Sequence, residues 1–132
     1  MSPEQKTIIV VEDEPDTAEM FAEMMRLSGY DVHKTYGGAS AIKVIAEEKP
    51  DAVVLDLMMP GLSGLDVLRF MRNNPGLDCI PVIIVSAKGL TADIREGLDA
   101  GATVYLTKPV AFLDLKVAVE KALENPKQEA VE

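Results

Sequence analysis

A chain of 132 residues, 48% hydrophobic and 27% charged, has the size and balance of one globular domain with a single core. Its 22 acidic against 13 basic residues, a formal charge of -9, argue against direct binding of nucleic acid, which needs clustered Lys and Arg. No apolar run approaches the roughly 20 residues that cross a bilayer, and Met1-Ser2-Pro3-Glu4-Gln5-Lys6 lacks the apolar core of a signal peptide, so a cytoplasmic protein without membrane contact is expected.

Taken in order, Thr7-Ile8-Ile9-Val10-Val11 reads as a buried strand that stops on Glu12-Asp13-Glu14. Pro15-Asp16 opens a helix, with Pro tolerated in its first turn and Asp16 favoured by the dipole. Ala18, Phe21, Ala22 and Met25 share its core face, and Gly29 ends it. Asp31 to Thr35 is a more polar strand suited to a sheet edge, and His33, the only histidine, is expected there as an exposed residue without a role. Gly37-Gly38 precedes a helix from Ala39 to Glu48 with Ala41, Ile42, Ile45 and Ala46 as its apolar side, and Pro50 follows.

Asp51-Ala52-Val53-Val54-Leu55-Asp56 is a strand apolar on both faces that closes on a carboxylate, and Pro60-Gly61 then turns the chain away. Ser63 caps a third helix with Leu65, Leu68 and Met71 inward, and Asn73-Asn74-Pro75-Gly76 stops it. Cys79 has no partner for an internal disulfide and is expected to pack as a small hydrophobe. Pro81 to Val85 is another buried strand, ending on Ser86. The fourth helix, Thr91 to Ala100, carries Gly97 in its interior and a thin stripe of Ile94 and Leu98, which predicts a weakly held element. Thr103 to Thr107 is a strand ending on Lys108-Pro109. The last helix, Ala111 to Glu124, turns Phe112, Leu115, Val119 and Ala122 inward and leaves Leu113 and Val117 as a small outward patch for a partner. Residues 1–124 form the single domain expected, and residues 125–132 a polar tail.

Alternating strands and helices predict an α/β sheet with crossover helices. In an open parallel sheet the strand C-termini line one edge, and ligands bind there at the point where strand order reverses. Asp56 alone could simply cap a turn. Glu12, Asp13, Ser86 and Lys108 at the other strand ends would meet it in one small site, which capping does not explain.

The set Glu12-Asp13, Asp56 with Pro60-Gly61, Ser86-Ala87, Tyr105 and Lys108-Pro109 resembles the receiver domain of two-component response regulators, over about Thr7 to Leu123. The resemblance implies a three-layer, doubly wound, flavodoxin-like fold with five parallel strands in the order 2-1-3-4-5. It implies a signalling switch and no enzyme beyond its own phosphorylation and dephosphorylation. Asp56 would accept a phosphoryl group from a histidine kinase or phosphotransfer protein. Mg2+ or Mn2+ would be held by Asp13, Asp56 and the Met58 backbone carbonyl, with Glu12 acting through water. Lys108 would pair with Asp56 in the empty site and neutralise a phosphoryl oxygen, Ser86 would donate to another, and Pro109 would follow a cis bond. Ser86 and Tyr105 would be the switch pair. The fourth helix, last strand and last helix would form the responding face, which meets a downstream target or attached output domain or pairs two copies.

A haloacid-dehalogenase-type phosphohydrolase also uses a strand-end Asp, but it has a second Asp two residues on, where this chain has Met58. A flavodoxin-like cofactor binder would want a phosphate loop after the first strand, where Glu12-Asp13-Glu14 would repel an anion. A phosphorylation-independent interaction module is the remaining alternative.

Overall fold

The computed structural model describes residues 5–124. Five strands, β1 (Thr7–Val11), β2 (Asp31–Thr35), β3 (Ala52–Asp56), β4 (Val82–Ser86) and β5 (Val104–Thr107), alternate with α1 (Pro15–Leu27), α2 (Gly38–Glu48), α3 (Gly64–Arg72), α4 (Thr91–Asp99) and α5 (Phe112–Glu124). All strand pairs are parallel, in the order β2-β1-β3-β4-β5. The flavodoxin-like order expected is the one found.

The sheet divides the core in two. Ile9, Val11, Val53, Leu55 and Ile84 pack against Ala41 and Ile45 of α2 and Val67, Leu68 and Met71 of α3. Ile8, Val10, Val54, Ile83 and Val85 pack against Phe21 and Met25 of α1 and Leu115 and Val119 of α5. Because both faces are covered, β3 and β4 are buried along their whole length, which accounts for their unbroken apolar runs. Beside them, β2 and β5 form the edges, and His33 is exposed on β2 as expected, between Asp31 (3.3 Å) and Glu48 (3.5 Å).

Several inward assignments need correction. Ala46 is exposed and Val44 packs against the core, because the buried row of α2 runs through Gly38, Ala41 and Ile45 and Ala46 lies far round the helix. The buried row of α3 is Gly64, Val67, Leu68 and Met71, an i, i+3, i+4, i+7 set that leaves Leu65 half-buried. Leu98 of α4 is exposed, and Gly97 is the residue that helix buries. Cys79 is exposed rather than packed: in the turns before β4, Leu77 takes the inward place. Leu113 and Val117 do face outward. The expected tail lies outside the described residues.

Candidate functional site

The chain leaves β1 toward β2 on one side and β3 toward β4 on the other, so the sheet's order reverses between β1 and β3. Val11 pairs with Leu55 across that junction, which places Glu12 and Asp13 beside Asp56 at the C-terminal rim. The loop after Asp56 is folded back tightly. Gly64, first residue of α3, lies so close to the Asp56 carbonyl that a Cβ there would stand 2.3 Å from its oxygen. Only glycine fits. Ser63 and Asp66 form a reciprocal capping box that fixes the start of α3 against this loop.

Among the described residues, the buried polar or charged side chains are Glu12, Thr35, Asp56 and Ser86, and three of these four lie at this rim. Burying a carboxylate is costly unless it is paired, so the concentration of acids here needs its cation. Lys108 supplies it from the end of β5. Its Nζ donates to Glu12 Oε1 at 3.0 Å and lies 3.6 Å from Asp56 Oδ2. Pairing with Asp56 was the expectation, and the shorter contact is to Glu12. The Glu12 side chain turns inward beneath the ammonium, and the Glu14 N–H donates to its other oxygen at 3.2 Å. Burial pushes the Glu12 carboxyl above its ordinary value, the Lys108 and Glu14 hydrogen bonds oppose that shift, and the charge of Asp56 adds to it.

One carboxylate oxygen from each of Glu12, Asp13 and Asp56 lies within 4.8 Å of the others. Three acids face one ammonium, and all the donors are hard oxygens, so the set suits a divalent cation such as Mg2+. Asp13 is half-buried and Asp56 Oδ1 accepts from the Met58 N–H at 3.2 Å. The Met58 side chain is 52% exposed, so at this rim its backbone, not its thioether, faces Asp56.

Ser86 ends β4 beside Asp56 on β3, with Asp56 paired to Val85. The Ser86 Oγ accepts from the Lys88 N–H at 3.1 Å, which leaves its own hydrogen to donate elsewhere. The carbonyl of the same Lys88 accepts from Tyr105 Oη at 2.7 Å. Lys88 thus joins Ser86 to Tyr105 through its backbone alone. Sequence reading named both ends of this chain and missed its middle, which no residue type announces. The Lys108–Pro109 peptide bond is cis, and the Lys108 N–H donates to the Ser86 carbonyl at 2.8 Å.

A doubly wound 2-1-3-4-5 sheet with an acidic cluster at its reversal point is the architecture of the CheY-like signalling domains. The model of the response regulator receiver domain family matches residues 8–120, and the chain belongs to that family. The DNA-binding response regulator MtrA of Mycolicibacterium smegmatis is 36% identical over 132 residues, covering 100% of this chain and 57% of MtrA. The response regulator MprA of Mycobacterium avium is 37% identical over 122 residues, covering 92% of this chain and 53% of MprA. The chain therefore spans about half the length of the curated relatives it matches.

Among solved structures, the Francisella response regulator 1452 receiver domain superposes with a TM-score of 0.85 at 30% identity, covering 92% of this chain and 98% of that one. The receiver domain of sensor histidine kinase PA1611 from Pseudomonas aeruginosa, with a magnesium ion coordinated in its active-site cleft, gives 0.84 at 28% identity, covering 91% and 98%. Receiver domains of this family are signalling switches in two-component systems.

One expectation is overturned here. Acidity argued against direct nucleic-acid binding, yet relatives that match along this whole chain are named DNA-binding response regulators. The charge argument describes only the segment corresponding to about half of such a protein and says nothing of the remainder. Among the described residues, no helix is long and apolar enough to cross a membrane.

Proposed function

We propose that the protein is a cytoplasmic, phosphorylation-dependent switch in which Asp56 accepts a phosphoryl group from a histidine kinase or phosphotransfer protein. The observation that carries this reading is the buried Asp56 carboxylate at the sheet's reversal point, flanked by Glu12, Asp13 and the Lys108 ammonium. A carboxylate oxygen attacks phosphorus, the new O–P bond forms as the P–N bond to the donor histidine breaks, and an aspartyl phosphate results. The protein promotes only this transfer and its own later hydrolysis.

Asp13, Asp56 and the Met58 carbonyl would hold Mg2+ or Mn2+ directly, and Glu12 through water. The ion supplies positive charge that offsets the carboxylates and polarises the phosphoryl group. Lys108 stands ready to leave Glu12 for a phosphoryl oxygen, and the free Ser86 hydrogen donates to another. Little covalent work falls to any other side chain. The rest is positioning and charge.

The response would run along the contacts already described. The added group brings about -1.5 to -2 charge and three acceptors. Drawing Ser86 toward it moves the hydroxyl that receives the Lys88 N–H, and the Lys88 carbonyl holds Tyr105. The face of α4, β5 and α5 then changes population as far as the phosphorylated site favours one arrangement. We read residues 1–124 as one receiver, and the names of its longer relatives favour an output on DNA through an attached domain.

Titration with beryllofluoride and Mg2+, followed by amide NMR, tests this reading. Shifts should concentrate at residues 12–13, 56–58, 86–90 and 105–108. A spectrum that ignores the addition would overturn it.

A further inference from the structure

The helix with the least packing docks through a glycine. Gly97 is the buried residue of α4; Leu98 is 44% exposed, Ile94 is half-buried, and the preceding Leu90 offers no side-chain cap. Glycine within a helix is markedly less favourable than alanine, so a residue poorly suited to hold the helix together stands where the helix meets the sheet.

The reason lies across the contact. A Cβ at Gly97 would stand 2.8 Å from Tyr105 Cδ2, 2.9 Å from Tyr105 Cε2 and 3.0 Å from Ile84 Cδ1. The two ring distances are closer than carbon atoms pack, and the Ile84 contact would be tight. Ile84 is fully buried in β4, an inner strand flanked by β3 and β5, with no room to retreat. Tyr105 is tied at its far end, where Oη donates to the Lys88 carbonyl. The ring cannot shift to admit a methyl group and keep that hydrogen bond.

We propose that Gly97 is a positioning residue of the switch. Its missing side chain forms the socket in which the Tyr105 ring lies while its hydroxyl reaches Lys88, so the seating of α4 and the orientation of Tyr105 vary together. This rests on the reading of Tyr105 as the aromatic that answers phosphorylation at Asp56. With a side chain at position 97, either the ring swings out and releases Lys88, or α4 lifts from the sheet. In both cases the ring no longer follows the state of Asp56.

Two measurements test the socket. The first uses 3-fluorotyrosine labelling and fluorine NMR; the chain has three tyrosines, Tyr30, Tyr36 and Tyr105, and Tyr105→Phe assigns the third signal. In the unmodified sequence the Tyr105 signal should move when beryllofluoride and Mg2+ are added. In Gly97→Ala it should not move on that addition, while Asp56 still takes up phosphoryl from phosphoramidate by intact mass.

The second is a stability cycle in urea without phosphorylation. Gly97→Ala should lower the unfolding midpoint when Tyr105 is present and raise it in a Tyr105→Ala background, where helix propensity acts unopposed. If Gly97→Ala fails to fold on its own, recovery of folded protein in the Tyr105→Ala background carries the same meaning. A Gly97→Ala signal that responds as in the unmodified chain, or a midpoint raised with Tyr105 in place, would overturn the socket. Absence of phosphoryl uptake by the unmodified chain would count against the proposed function instead, and the stability cycle would still decide the role of Gly97.

Discussion

Lys108 donates to Glu12 at 3.0 Å, while Asp56, its expected partner, lies at 3.6 Å. One ammonium therefore serves two buried carboxylates, with Asp13 close by as a third acid. A site so rich in like charge is held at the expense of stability, as sites kept for function often are. Asp56→Asn should raise the urea midpoint at pH 7 without divalent metal, a gain of about 1 kcal/mol. Lys108→Met leaves both carboxylates without a cation. It should lower stability by about 2 kcal/mol, less than for a fully buried pair because Lys108 keeps some solvent contact.

Added Mg2+ should reverse the sign of that cost. A ligand that binds only the folded chain stabilises it by RT ln(1 + [L]/Kd), about 1.4 kcal/mol at ten times Kd. The urea midpoint should rise with Mg2+ concentration and fall again with chelator. Asp13→Asn should abolish the rise while leaving the fold intact by circular dichroism.

The first helix carries a pH dependence of its own. The Glu14 carboxylate caps α1, accepting from the Thr17 N–H at 2.8 Å and the Thr17 hydroxyl at 2.9 Å. The Thr17 backbone hydrogen bond, above all, holds its pKa below the ordinary value of 4.5. A carboxyl with a depressed folded pKa contributes stability above its unfolded value and loses it as pH falls through the folded one. Glu14→Ala should therefore unfold at lower urea than the unmodified chain at pH 7. The gap should narrow as pH drops below 4.5.

Arg72 joins three segments far from the site. Its Nε donates to the Gly101 carbonyl at 3.0 Å, and its Nη1 to the carbonyls of Ile80 (2.8 Å) and Asp78 (3.2 Å). Lysine has a single nitrogen and cannot span these acceptors. Arg72→Lys should lower the unfolding free energy by about 2 kcal/mol in urea titration, with faster amide exchange at residues 101–103 than at residues 8–11.

The site could be read before the fold because parallel strands carry their C-termini to one edge, so four strand endings announced one place. Lys108 needed no more than its position after β5 to be found. Its preference for Glu12 was hidden, since it depends on how far each carboxylate turns inward. Arg72 was invisible for a different reason: its partners are backbone carbonyls, which every residue has. Gly97 was legible as a weakness in α4, yet its cause is the ring of Tyr105, which depends on how the helix sits on the sheet. Cys79 was misread because residue type was used where a turn decides the direction of the side chain. The acidic composition was sound as a description of this segment and misleading as a statement about nucleic acid.

The central claim is that Asp56 takes the phosphoryl group. Intact-protein mass after incubation with phosphoramidate and Mg2+, beside an Asp56→Asn control, tests it most directly. One phosphoryl group should be added, only with metal and only when Asp56 is present. An unchanged mass, or the same gain in the control, would contradict the account.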